Sequence, residues 1–129
     1  MIALDTNVVV RFLVNDDRHQ GQRARDLLAR GGVFVGPTVL SETEWVLRSA
    51  YRFTPTQIQR FLRGLLGLPG LHTEEPGRVL QALQDYEAGL DFADALHLSF
   101  AGSADSFASF DGRLARRARR RGGVTVVAP

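Results

Sequence analysis

The sequence predicts an α/β protein built on a parallel sheet, and two observations carry that prediction. Short apolar β-type runs are separated by stretches with helical periodicity, the pattern of a parallel sheet covered on both faces. The first run, Ile2, Ala3 and Leu4, stops at a carboxylate, Asp5, and turns straight into a new apolar pattern of Val8, Val9, Phe12 and Leu13. In open α/β folds the crevice beyond the carboxyl ends of the strands is where ligands bind, so Asp5 is placed to face it. Strand order is not readable from these patterns.

Taken in order, residues 2–5 read as a strand close to buried, and 7–14 as a short helix capped at Thr6 or Asn7. Asp16 and Asp17 can cap a second helix over 18–30, with Ala24, Leu27 and Leu28 on one face, stopped by Gly31-Gly32. Val33–Val35 form a strand. Gly36-Pro37-Thr38 opens a helix carrying Val39, Leu40, Thr43, Val46, Leu47 and Ala50, with proline tolerated in its first turn. Thr54-Pro55-Thr56-Gln57 is a full start signal, with a threonine cap, proline at N1 and glutamine at N3. The helix that follows, 55–66, turns Ile58, Phe61, Leu62 and Leu65 inward. Residues 71–75 are either a short strand or a connector. Helical pattern resumes from Pro76 to Gly89 through Val79, Leu80, Leu83 and Tyr86, and Asp91 can cap a well-buried helix over 92–102. Residues 107–110 read as a strand, Asp111 begins a last helix through Arg121, and 124–127 form a final strand.

A chain of 129 residues is one domain of ordinary size, 1–129, large enough to need no covalent staples. It has no cysteine, which excludes disulfides, thiolate metal sites and cysteine nucleophiles. No cationic leader precedes an apolar stretch and no run is long enough to span a bilayer, so the chain reads as cytoplasmic with no membrane partner. The formal charge is +2, and all sixteen basic residues are arginine. Six of them fall between Arg113 and Arg121. That stretch is either a solvated helix face or a surface for phosphates or an acidic partner segment.

Four acids occupy related positions. Asp5 follows the first strand, Glu42 lies in the first turns of the helix after the second strand, Asp94 lies in the first turns of the helix opened by Asp91, and Asp111 follows the 107–110 strand. With parallel strands, all four lie near the carboxyl edge. Acids in a first helical turn have an ordinary explanation as caps. Several carboxylates in one cleft repel, a cost that a divalent cation removes; oxygen-only ligands suit Mg²⁺ or Mn²⁺.

The segments ALDTN (3–7), VLSETEWVL (39–47), DFADALHL (91–98) and SFD (109–111) give the chain a specific likeness. In order and spacing it resembles the PIN-domain family, and within it the VapC-type ribonuclease toxins of bacterial toxin–antitoxin pairs. The resemblance implies a three-layer α/β/α sandwich with a central, mainly parallel sheet, a Mg²⁺-dependent nuclease site, a homodimer and a cognate antitoxin. Carried over residue by residue, Asp5, Glu42, Asp94 and Asp111 are the catalytic acids, with Asp5, Asp94 and Asp111 as metal ligands. Glu44 is a less favoured neighbour of Glu42. Ser109 stands where the family often has threonine, and Thr6 supports Asp5. Asp91 is foremost a cap, with a water-mediated metal contact as its second reading.

Arg11, Arg113 and Arg116 are candidates for contact with RNA or an antitoxin. His97 reads as a packing residue rather than a ligand, Trp45 as core with a partner contact second, and Asp105 as loop surface. The chemistry implied is hydrolysis of RNA phosphodiesters, with a divalent ion activating water beside the phosphate. Single-stranded or looped RNA is the more accessible substrate. The rival readings are a metal-dependent phosphatase, a DNA nuclease and a catalytically silent interaction domain.

Overall fold

The computed structural model describes residues 1–129 as seven helices and five short strands, with every strand pair parallel. By its own contacts the chain resolves into two compact units, Met1–Glu74 and Glu75–Pro129. The α/β class with parallel strands is the one the sequence predicts.

The first unit is a twice-repeated strand–helix–helix followed by a strand: β1 (Ile2–Ala3), α1 (Thr6–Val14), α2 (Arg18–Arg30), β2 (Val33–Val35), α3 (Pro37–Ser49), α4 (Pro55–Leu66) and β3 (Leu71–Thr73). The sheet order is β1-β2-β3, with Ile2 opposite Val33 and Val33 opposite Leu71. The 71–75 stretch is therefore a strand. Parallel neighbours need a crossover, which each helix pair supplies. The core forms from Val9 and Val10 of α1, Ala24 and Leu28 of α2, Val33 and Val35 of β2, Leu40 and Leu47 of α3, and Ile58, Leu62 and Leu65 of α4. The first strand is not buried as the sequence suggested: it is two residues long, Ile2 is 55% exposed, and only Leu4 beyond it is buried. It is an edge strand of the β1-β2-β3 sheet.

The start signals are realised locally. Thr54 and Gln57 close a reciprocal capping box on α4, and Asp17 accepts from Gln20 N–H at the start of α2. One glycine is required by geometry. Gly70 has φ +78° and would drive a Cβ to 2.7 Å from the Gly31 Cα, where two turns meet ahead of β2 and β3.

The second unit comprises α5 (Pro76–Glu87), α6 (Phe92–Phe100), β4 (Ser106–Ala108), α7 (Gly112–Arg121) and β5 (Thr125–Val127), with β4 and β5 paired in parallel. Helices α5 and α6 pack through Val79, Leu83 and Tyr86 against Phe92, Ala95 and Leu98, including an edge-on contact of Tyr86 with Phe92 at 5.2 Å. Leu80, assigned inward by the sequence pattern, is 46% exposed. Its place on the buried face is taken by Ala82 and by an acid, Asp85. Strand β4 ends earlier than the 107–110 run, leaving Phe110 88% exposed in the turn before α7.

Asp85 is the polar anchor of this unit. It is fully buried and accepts from Arg117 Nε at 2.8 Å and Arg121 Nε at 3.0 Å, one turn apart on α7. Burying a carboxylate is tolerated only with such partners. Asp85→Ala is expected to lower unfolding free energy by about 3 kcal/mol, the lower end for a broken buried pair because Arg117 can turn to solvent. Urea denaturation checks this; a loss below about 1 kcal/mol would remove Asp85 from this role.

Candidate active site

In the first unit the backbone runs from β1 into α1 with only Leu4 and Asp5 between them. Asp5 is itself the N-cap of α1: its Oδ1 accepts from Thr6 N–H at 2.8 Å. This corrects the expectation of a cap at Thr6 or Asn7. Thr6 is the first helical residue and is buried, so it seats the turn from which Asp5 projects. Asp5 is exposed, not near-buried, because the short edge strand before it covers little.

Helix α3 begins beyond the carboxyl end of β2, the same edge at which Asp5 stands beyond β1. Its buried face is Leu40, Thr43, Glu44 and Leu47. Glu42 lies off that face and is exposed. Asp5, Thr6, Asn7, Arg11, Glu42 and Tyr51 contribute to the wall of one cleft of about 440 Å³. The sequence-predicted pair Asp5 and Glu42 is thus brought to a common cavity. Glu44 is buried and pairs with Arg48 at 2.9 Å. Trp45, expected in the core, is 57% exposed. It shares the outer face of α3 with Ser41 and Arg48, three or four residues away, because Thr43, Glu44 and Leu47 take the inner one.

In the second unit Asp91 caps α6, with Oδ2 accepting from Asp94 N–H at 3.1 Å, as predicted. Asp111 caps α7 with Oδ1, which accepts from Arg113 N–H at 2.9 Å and Leu114 N–H at 3.4 Å. Ser109 Oγ accepts from Asp111 N–H at 3.0 Å, a support that fixes the backbone of that acid. Asp94 is partly buried on the first turn of α6. Burial, then the negative charges of Asp91 and Asp111, hold its pKa above the ordinary 3.8, and His97 on the next turn opposes the shift. His97 is exposed rather than packed, one turn from the acid it faces on α6. Asp105 is exposed in the loop before β4, as expected.

Within neither unit do three acidic or histidine side chains gather closely enough to cage an ion by themselves. The donors present nevertheless suit a hard cation. They are carboxylate oxygens, and capping engages only one oxygen of Asp5 and one of Asp111. Asp94, held between two like charges, is the group whose ionised form a cation would relieve most.

The sequence reading missed Tyr51, on the wall of the Asp5 cleft, and the part Asp16 plays beside it. Asp16 accepts from the Tyr51 hydroxyl at 2.7 Å and from Arg11 Nη1 at 3.3 Å. The Tyr51 bond lowers the Asp16 pKa, and the Asp16 bond raises that of Tyr51. Tyr51 is 35 residues from Asp16, and no local pattern joins them. Asp85 was missed for the same reason. Arg113 and Arg116 are exposed on α7.

This arrangement, acids at or near the starts of helices around parallel strands, meets its match in sequence comparison. The PIN domain model matches residues 2–120. The chain belongs to the PIN domain family. PIN domains are generally nucleases that act on nucleic acid and typically use divalent metals. A search of the curated proteins finds no significant match. No helix is long and apolar enough to cross a membrane.

Asp94→Asn is expected to stabilise the metal-free protein at neutral pH. Because the folded pKa of Asp94 lies above 3.8, the folded state holds its proton more tightly than the unfolded chain. Its ionisation therefore subtracts stability as pH rises above 3.8, and nothing is subtracted below that. The urea midpoint of the variant should exceed that of wild type at pH 7 and converge with it near pH 3. An equal difference at both pH values would show that the asparagine acts through packing instead.

Proposed function

We propose that the protein is a Mg²⁺-dependent endoribonuclease and the toxin of a toxin–antitoxin pair, acting in the cytoplasm as one PIN domain over 1–129. The observation that carries the nuclease reading is the presence of two carboxylate sets suited to one chemistry: Asp5 with Glu42 in a common cleft, and Asp94 with Asp91 and Asp111, its pKa raised by burial and then by those two charges. In this reading Asp5, Glu42, Asp94 and Asp111 are the catalytic acids. Asp5 and Asp94 would be the principal metal ligands and Asp111 a further one, with Mn²⁺ an acceptable substitute.

When bound, the ion supplies positive charge to the phosphate and makes water a better nucleophile at neutral pH. The chain's own residues hold the geometry. The cap on α1 fixes Asp5, the Ser109 bond fixes the turn at Asp111, and Glu42 orients water in the cleft through its carboxylate. Arginine side chains take phosphate oxygens and so position the strand without reading its bases. The 2′-hydroxyl and unstacked bases of looped RNA favour it as substrate over duplex DNA.

The toxin assignment rests on the four sequence segments that resemble VapC proteins, and it brings a homodimer and an antitoxin as partners. Exposed Trp45 and Phe110 are the large aromatic groups a partner would cover.

Purified free of any antitoxin, the protein should cleave members of a mixed RNA panel when Mg²⁺ is supplied and stop when it is chelated. Asp5→Asn and Asp94→Asn should each reduce cleavage by more than about 100-fold, beyond the 10–100-fold that losing an outer support of a metal site costs. Calorimetric titration with Mg²⁺ should lose its heat in the same variants. Equal cleavage by wild type and the folded double variant would sink the proposal, and preferential cleavage of DNA would redirect it. Mixed with the product of the adjacent gene, the protein should run as a complex of at least two copies of itself. A monomer that binds no such product would remove the toxin role and leave the nuclease.

A further inference from the structure

We infer that the groove between α1 and α2 carries the phosphodiester backbone of a single-stranded RNA away from the carboxylate cleft, with Arg11 as the first phosphate anchor and Arg23 and Arg30 as the next. This rests on the nuclease reading of the cleft and adds the path of the strand beside it.

The groove holds about 460 Å³ and has three guanidinium groups on its wall, Arg11, Arg23 and Arg30, against one carboxylate, Asp26. That carboxylate already accepts from Gln22 Nε2 at 2.8 Å. Arg23 and Arg30 lie seven residues apart on α2, two turns along one face and roughly 10 Å in rise. The floor between them, Val8, Ala24 and Leu27, is apolar and can take the face of a base. Asn7 and Arg11 line both this groove and the cleft of Asp5 and Glu42, so the two cavities adjoin. A strand with its scissile phosphate at the carboxylates would therefore cross Arg11 first.

Arg11 is held for this contact. Its Nε donates to Gln20 Oε1 at 2.8 Å, and its Nη1 donates to Asp16 Oδ1 at 3.3 Å and to the Tyr51 hydroxyl oxygen at 3.4 Å. Tyr51 in turn donates to Asp16 at 2.7 Å, so both partners of Nη1 are themselves fixed. The Nη2 group takes no part in this network. A long side chain ordered in advance loses less entropy when phosphate arrives. Asp16 and Tyr51 are positioning residues acting through Arg11.

The test is binding of a fluorescent single-stranded RNA in EDTA, read by anisotropy across a salt series, with folding of each variant checked by thermal melting. Each phosphate contact in a single strand contributes about 0.7 to the slope of log K against log salt. Arg23→Gln and Arg30→Gln should each lower the slope by about that amount, and Arg11→Gln likewise. Asp16→Asn and Tyr51→Phe should weaken binding about threefold or more in wild type and have no effect in the Arg11→Gln background. Unchanged slopes in Arg23→Gln/Arg30→Gln would overturn the path and leave the groove to another occupant such as an acidic protein segment. Additive effects of Asp16→Asn and Arg11→Gln would overturn the positioning role. No RNA binding by wild type would overturn both. Mg²⁺-dependent cleavage by wild type and the Asp5→Asn variant is measured separately, so a failed path with intact cleavage stays distinct from a failed nuclease.

Discussion

The turn at Asp5 is the constraint on which the first unit depends. β1 ends at Ala3 and α1 begins at Thr6, so one residue must end the strand, cap the helix and face the crevice. A carboxylate can do all three because its two oxygens act separately. Oδ1 satisfies an amide that helix geometry leaves without a partner, and the charge favours the positive end of the helix. The other oxygen is then presented at a fixed angle. Alanine here would remove the cap, and a longer side chain would move the charge out of the cleft.

The same economy recurs at Asp91 and Asp111, where caps and candidate ligands coincide. Capping and metal binding are therefore not rival explanations for these acids. Asp94 differs. It caps nothing, is partly buried, and stands beside two like charges that hold its pKa up. On α7, by contrast, the six arginines divide by face. Arg117 and Arg121 turn inward to Asp85 and hold the second unit together, while Arg113 and Arg116 remain at the surface. The charge run that looked uniform in sequence is two fastenings, Arg117 and Arg121, among four exposed arginines.

The elements were legible because their signals are local. The Thr54–Gln57 box, the prolines at helix starts, the glycine stops and the Asp91 and Asp111 caps are all settled within four or five residues. The four acids were legible because each sits at a fixed offset from such a signal. Errors fell where the deciding neighbour was remote. Leu80, which periodicity put inside, and Trp45, read as core, are both exposed, because Asp85 takes the buried face of α5 and Glu44 joins Thr43 on that of α3. The first strand looked buried because it is apolar, yet Ile2 stands at a sheet edge.

The sequence by itself determined the α/β class, the order of strands and helices, and which acids sit at helix starts, since backbone preference and capping act over a few bonds. Only the tertiary structure decided that Asp5 and Glu42 share a cleft, that Arg11 is held there by Asp16 and Tyr51, and that a buried Asp85 takes two arginines from another helix. Apart from the Arg11–Asp16 bond, the hydrogen bonds among these groups span 32 to 40 residues of chain, and burial and charge act through space, where sequence separation carries no information about distance.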